Sequence, residues 1–389
     1  MKDKSILETD FNNNLNLQDK DNYNWIYEKL IIDDTNIFIG ENKKDFNKSI
    51  YIMQIIFSFV NNYNNNRCIN ILKEIYFLIY FKKYDYFIKL DDILLLDKSN
   101  EKRLFLIFRE NCVDLRKLIH ASNSKLNYLE NKDLIKWIIY QIAFGLYTLH
   151  NNNIIHNDIK PSNIFINKIG GITIGLYHSL CYKGEKSNLF TRPYSPPEFL
   201  LDENIIRDEK SDMWALGVII LELLLKKSIY FKINEQEYEE NKNTIKEKNR
   251  KQLNLIFSKF GIIFENKSNE ELNKIINDND SNKDYNIQLT NNEIEKINDK
   301  DALELINNLL VLNKNKRYSA EQVINSNYLK EYYNCFTELD LPNIKNTKNI
   351  LDYNNDYKKY FTESNIDEEK FNIIYKDLYS KLKEFNESK

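Results

Sequence analysis

Glycine is scarce in this chain, with 8 among 389 residues. Loops that wrap closely around phosphate use glycine so that backbone N–H groups can approach the anion. Alanine is scarce as well while Tyr, Phe, Ile and Asn abound, a bias that reflects AT-rich coding rather than chemistry, so position and not composition has to decide where such a loop stands. Cysteine is as sparse: Cys68, Cys112, Cys181 and Cys335 lie far apart and form no Cys-x-x-Cys pair. This spacing indicates neither a zinc site nor a disulfide framework, and the thiols are expected to be reduced. An excess of one charge is missing too. The 55 basic residues are interleaved with 58 acidic ones, for a net charge of −3, which gives no electrostatic basis for a nucleic-acid partner. Long apolar runs are also lacking, since the best one, Val218 to Leu225, is broken by Glu222 and is too short to span a membrane. The start Met1-Lys2-Asp3-Lys4 carries no apolar core for secretion. A soluble intracellular protein, cytoplasmic or nuclear, without membrane or nucleic-acid partners, is expected.

The residues present are 42% hydrophobic and 13% aromatic, enough for a sizeable core. Residues 1–22 are rich in Asn and Asp without pattern and read as a flexible tail. From about 23 to 110 short runs alternate apolar and polar residues. Trp25-Ile26-Tyr27-Glu28-Lys29-Leu30-Ile31-Ile32 and Ser49-Ile50-Tyr51-Ile52-Met53-Gln54-Ile55-Ile56 predict strands, and one helix is expected near 67–82. Trp137 to His150 has apolar positions at helical spacing. Polar stretches near 226–251 and 263–300 read as surface insertions. Residues 333–389 form an extension carrying Tyr353, Tyr357, Tyr360 and Phe361, with a helix expected from Asp367 to Phe385. Such an extension can dock back on the domain or bind a partner.

Four motifs then occur in order. His156-Asn157-Asp158-Ile159-Lys160-Pro161-Ser162-Asn163 is followed by Arg192-Pro193-Tyr194-Ser195-Pro196-Pro197-Glu198, by Asp212-Met213-Trp214-Ala215-Leu216-Gly217, and by Arg317 in Asn313-Lys314-Asn315-Lys316-Arg317. They resemble the catalytic loop, the segment closing the activation loop, the buried helix of the large lobe and the arginine that pairs with the closing glutamate in eukaryotic protein kinases. The resemblance implies an α+β, two-lobed protein kinase fold over about 23–332. Its small lobe, about 23–108, would be an antiparallel sheet with one regulatory helix, and its large lobe, about 112–332, mainly helical. Leu106-Ile107-Phe108 followed by Asp114-Leu115, Lys73-Glu74-Ile75, and Gln252 to Gly261 are similar to the CMGC group of cyclin-dependent and mitogen-activated kinases. Ser195 stands where that group carries an arginine.

By that resemblance Asp158 would accept or orient the substrate hydroxyl proton, Lys160 would contact the transferred phosphate, and Asn163 would hold a metal. Phe108, Glu110 and Asn111 would lie along the nucleotide's adenine. Asn157 replaces the arginine that many kinases use to clamp an activation-loop phosphate. The metal-binding Asp-Phe-Gly turn aligns with Leu176-Tyr177-His178, and no aspartate lies between Asn163 and Asp202, where the only acids are Glu185 and Glu198. Magnesium needs oxygen ligands, and leucine has none. The strand lysine that grips phosphate aligns with Gln54, which leaves Glu74 without that partner, although Lys43, Lys44 or Lys48 offer alternative cations. The phosphate-covering loop reads Asp33-Asp34-Thr35-Asn36-Ile37-Phe38-Ile39-Gly40, with two acids and one late glycine. Lys186 sits where cyclin-dependent kinases carry their phosphorylated threonine.

Three altered nucleotide-handling elements lead to the expectation of a pseudokinase, a scaffold or allosteric regulator whose protein partner is a kinase, a cyclin-like activator or a substrate. The alternative is a divergent active Ser/Thr kinase with Asp158 as base. Between them lies a module that binds ATP without Mg2+ and is rigidified by it.

Overall fold

Alternating side chains in the first hundred residues form an antiparallel sheet in the computed structural model. The model describes residues 25–32, 35–42, 49–57, 65–98, 101–108, 112–121, 128–167, 169–175, 179–185, 190–202, 204–233, 244–264, 267–277, 286–332 and 367–387. Strands β1 (Trp25–Ile32), β2 (Thr35–Asn42) and β3 (Ser49–Phe57) precede helix α1 (Asn65–Tyr80), and β4 (Leu90–Lys98) and β5 (Glu101–Phe108) follow it. The sheet order is β1-β2-β3-β5-β4, with every pairing antiparallel. β3 lies between β2 and β5, so Gln54 is opposite Asn36 on one side and Phe105 on the other. Residues 1–111 and 353–389 form one compact unit and 112–352 a second.

In the second unit β6 (Cys112–Asp114) leads into α2 (Leu115–Ala121) and then the 20-residue α3 (Lys132–Asn151). Helix α3 starts where Asn131 accepts hydrogen bonds from the N–H groups of Asp133 and Leu134, satisfying donors that a helix start leaves open. Two short strands follow α3, β7 (Ile154–Ile155) and β8 (Ile164–Asn167), with β9 (Ile172–Ile174) after them; β6, β8 and β9 form a small antiparallel sheet. β10 (Cys181–Tyr182) pairs with β7. Beyond it come α4 (Pro197–Leu201) and α5 (Lys210–Leu225).

Helix α5 is buried on all sides, as expected for a helix apolar around its circumference. Gly217 is required there. A Cβ at that position would come within 2.9 Å of Leu309 Cβ and Leu310 Cδ2, so glycine lets α5 pack tightly on α9 (Lys300–Leu309).

The two stretches read as polar insertions hold ordered helices. α6 (Ile245–Lys259) begins with a reciprocal Thr244–Glu247 cap, and α7 (Asn269–Asn277) buries Leu272 and Ile276. α8 (Asn291–Ile297) repeats the cap with Thr290 and Glu293, and α10 (Ala320–Ile324) with Ser319 and Gln322. The helix expected in the C-terminal extension is α11 (Glu368–Glu387), and it belongs to the compact unit of the five-stranded sheet.

Candidate functional site

The loop between β7 and β8 is held from beneath by Asp212, in the first turn of α5 and 1% exposed. Its Oδ2 accepts from the His156 N–H at 2.9 Å and lies 2.9 Å from His150 Nε2, while Oδ1 accepts from the Asn157 N–H at 2.9 Å. A buried carboxylate with this many donors fixes backbone as firmly as a strand pairing would. His156 is fully buried. Its Nε2–H donates to the Gly175 carbonyl at 2.7 Å and its Nδ1 accepts from the Asp158 N–H at 3.3 Å, a pattern that assigns the neutral tautomer with its proton on Nε2.

Asn157 has a φ of 64°, in the left-handed region that Asn tolerates better than most residues. Its amide donates to the Ser179 carbonyl at 2.9 Å and to Cys181 Sγ at 2.8 Å. The residue that replaces the expected arginine thus tethers the start of the activation segment through neutral hydrogen bonds.

Asp158, Lys160 and Asn163 are brought together. Asp158 Oδ1 accepts from Thr191 Oγ1 at 2.6 Å, and its Oδ2 accepts from Lys160 Nζ at 2.8 Å and from Asn163 Nδ2 at 3.0 Å. Asn163 also donates to the Asp158 carbonyl at 2.8 Å, and Lys160 Nζ donates to Thr191 Oγ1 at 2.9 Å. Thr191 is the member of this cluster that sequence reading missed as a site residue. Its one signal is position, directly before Arg192-Pro193. Arg192 in turn donates through Nε to Asn249 Oδ1 at 2.8 Å, and the Arg207 guanidinium lies 3.8 Å from the Phe199 ring centroid and 5.3 Å from that of Phe190.

The segment that follows is anchored by buried charge. Arg317, fully buried, donates to both oxygens of Glu198, at 2.9 and 3.3 Å, and to the carbonyls of Lys210 and Val311. Glu222 on α5 accepts from Tyr194 Oη at 3.2 Å and from the Tyr230 N–H at 2.9 Å, and burial pushes its carboxyl up to about 7.

The remaining expected site residues divide into two groups. Glu74 is 2% exposed on α1, and Phe108, 2% exposed, ends β5 opposite Tyr51 and Leu90. Gln54 is described by its backbone in β3 alone, while Glu110, Asn111 and Leu176 lie outside the described residues, as do Tyr177 and His178. Among the described residues no group of three or more His, Cys, Asp or Glu side chains could hold a metal ion, and no helix is long and apolar enough to cross a membrane.

A loop, an activation-segment anchor and a buried helix arranged in this way define a protein kinase domain. The chain matches the protein kinase domain family over residues 43–329 and belongs to it. Within the family it resembles the CMGC group. It is 32% identical over 152 residues to the serine/threonine-protein kinase ssn3 of Aspergillus clavatus, covering 37% of this chain and 34% of that one. To SSN3 of Phaeosphaeria nodorum it is 33% identical over 161 residues, covering 39% and 36%. The matched region spans about a third of the length of these curated relatives. Among solved structures, the yeast RNA Pol II CTD kinase CTDK-1 complex aligns with a TM-score of 0.57 at 20% identity, covering 79% of this chain and 92% of that one, which shows the shared fold.

Proposed function

We propose that this protein is a catalytically impaired kinase, a pseudokinase, that acts as a scaffold or allosteric regulator of a protein partner. The observation that carries the reading is the absence of any aspartate between Asn163 and Asp202, which puts Leu176 at the position of the metal-binding acid. Kinases of this family generally use ATP and Mg2+. Magnesium takes hard oxygen ligands in near-octahedral geometry. The loop offers the single carboxylate of Asp158, whose two oxygens already accept from Thr191, Lys160 and Asn163. With one engaged carboxylate, one amide and a leucine, the donor set does not fit the ion. Gln54 at the strand-lysine position and Asp33-Asp34 in the phosphate-covering loop point the same way. The retained loop is accounted for by packing, since its polar atoms hold the large lobe together around Asp212.

Under this reading residues 1–22 are a tail, 23–332 the kinase-like domain and 333–389 an extension. The partner is a kinase, a cyclin-like activator or a substrate, met in the cytoplasm or nucleus. The test is the thermal stability of the purified protein with ATP, with and without Mg2+. A ligand at 100 times its dissociation constant adds ~2.7 kcal/mol. No stabilisation in either buffer is the expected result, and a magnesium-dependent rise would overturn it. A metal-independent rise would instead identify a nucleotide-stabilised switch.

A second reading, a divergent Ser/Thr kinase, is favoured by the closed arrangement of Asp158, Lys160 and Thr191 and by the names of the relatives. There Asp158 is the base, and phosphotransfer to a protein hydroxyl would be measurable and abolished by Asp158→Asn.

A further inference from the structure

The contact between Thr191 and Asp158 depends on how the chain is held on each side of Thr191. On the C-terminal side hydrogen bonds do this work. The Thr191 carbonyl accepts from the Tyr194 N–H at 2.9 Å and from Ser195 Oγ at 3.1 Å, closing the short turn over Arg192–Tyr194. On the N-terminal side stands Phe190, a half-buried ring. Two guanidinium groups lie over it, that of Arg207 at 5.3 Å from the ring centroid and that of Arg192 at 6.0 Å. Both fall within the ~6 Å over which the face of a ring attracts a cation.

The two arginines are themselves fixed. Arg207 is 2% exposed, and its guanidinium lies 3.8 Å from the centroid of the buried Phe199 ring in α4. Arg192 donates through Nε to Asn249 Oδ1 at 2.8 Å, and Asn249 is buried on α6. The order Asn249, Arg192, Phe190, Arg207, Phe199 is thus a ladder of alternating polar and aromatic groups that runs from α6 through the activation segment to α4. Phe190, Arg207 and Phe199 line one small cavity together with Thr191 and Asp158. An aliphatic side chain at 190 would fill similar space without a negative face for the two cations.

We infer that Phe190 is a positioning residue for the cluster around Asp158. Its ring, held by Arg207 and Arg192, sets the backbone from which Thr191 Oγ1 reaches Asp158 Oδ1, so Phe190 acts through Thr191. Because Arg192 also holds Asn249, the same ladder ties the geometry at Asp158 to the place of α6. This assignment goes beyond the reading of the protein as a pseudokinase, since it concerns the shape of the cluster whether or not phosphate is transferred there.

The experiment is hydrogen exchange on the full chain and on the full-chain variants Phe190→Leu, Phe190→Tyr, Thr191→Val and Phe190→Leu/Thr191→Val. Leucine keeps apolar bulk and removes the ring face; tyrosine keeps the face. In Phe190→Leu the amides of Thr191 to Leu201 and of Asp158 to Asn163 are expected to exchange at least ~10-fold faster, while those of α3 and α5 keep their protection, as local opening allows. Phe190→Tyr is expected to match the parent. Unchanged exchange in Phe190→Leu would overturn the inference, as would equal loosening by leucine and tyrosine, which would reduce Phe190 to a close-fitting apolar group. Joint loss of protection in α3 and α5 would overturn it too, by making Phe190 a support of the whole unit. The double variant tests the route. Action through Thr191 means that Phe190→Leu adds nothing to Thr191→Val at Asp158 to Asn163, and an additive acceleration there would sink the assignment.

Discussion

The loop from His156 to Asn163 and the outer layer formed by α1 and α11 are stabilised by opposite means. In the loop, polar groups converge on Asp212 and Asp158, and single hydrogen bonds tie the loop to residues between 5 and 56 positions away. In the outer layer, largely apolar faces meet across nearly the whole chain, with ion pairs near the two ends of α11. Polar networks of the first kind demand particular residue types at particular spacings, since a buried unpaired donor or acceptor costs more than the bond itself contributes. Apolar layers demand only volume and periodicity. The loop can therefore persist as a scaffold whether or not phosphoryl transfer does.

The contrast can be broken at its most buried point. Arg317→Ala leaves the Glu198 carboxylate without its charge partner in the interior and is expected to lower unfolding stability by about 3–5 kcal/mol, read from a urea titration. In the outer layer, Leu382→Ala removes a fully buried side chain and should cost about 3 kcal/mol, with the loss read as faster exchange in α1.

Glu222 adds a dependence on pH. Burial raises its folded pKa from 4.5 to about 7, so its favourable contribution is complete below pH 4.5 and is lost as pH rises towards 7. The size is about 3 kcal/mol by order of magnitude, and Glu222→Gln should flatten the stability curve over that window. Next, Asn157→Ala puts a residue without a local hydrogen-bonding side chain at positive φ and deletes the bond to the Ser179 carbonyl; a loss of about 2 kcal/mol is expected, with faster exchange at Ser179 to Tyr182. Smallest is Thr191→Val, which deletes one donor to the largely buried Asp158 and should cost about 1 kcal/mol in the same titration. A much larger loss there would mean that the cluster around Asp158 is a main support of the fold.

The sequence was legible where residue identity carries the structure. His156, Asp158, Asn163, Glu198, Asp212 and Arg317 were recognised as motif residues, and the Glu198–Arg317 pair forms as the resemblance implies. The strand from Trp25 to Ile32 and the helix of the C-terminal extension followed from periodicity. Thr191 was missed because a lone threonine in a loop has no periodic or spacing signal, and its role rests on a backbone path that brings it to Asp158. The place of α11 was equally hidden. Its stripe shows that it must be covered, but a stripe of leucine, isoleucine and phenylalanine does not say by what. Helices α7 and α8, and the first half of α6, lay within stretches read as polar insertions because they bury only a few positions on a largely polar surface.

The pairing of Lys82 with Asn386, 304 positions apart, also has a consequence for synthesis. A chain emerging at about 5–20 residues per second completes its sheet strands at least ~14 s before α11 is complete. During that interval α1 lacks the cover that α11 gives it. Until the C-terminal region is translated, the residues that α11 buries on α1 and β4 are exposed surface of the kind that makes nascent chains prone to aggregate.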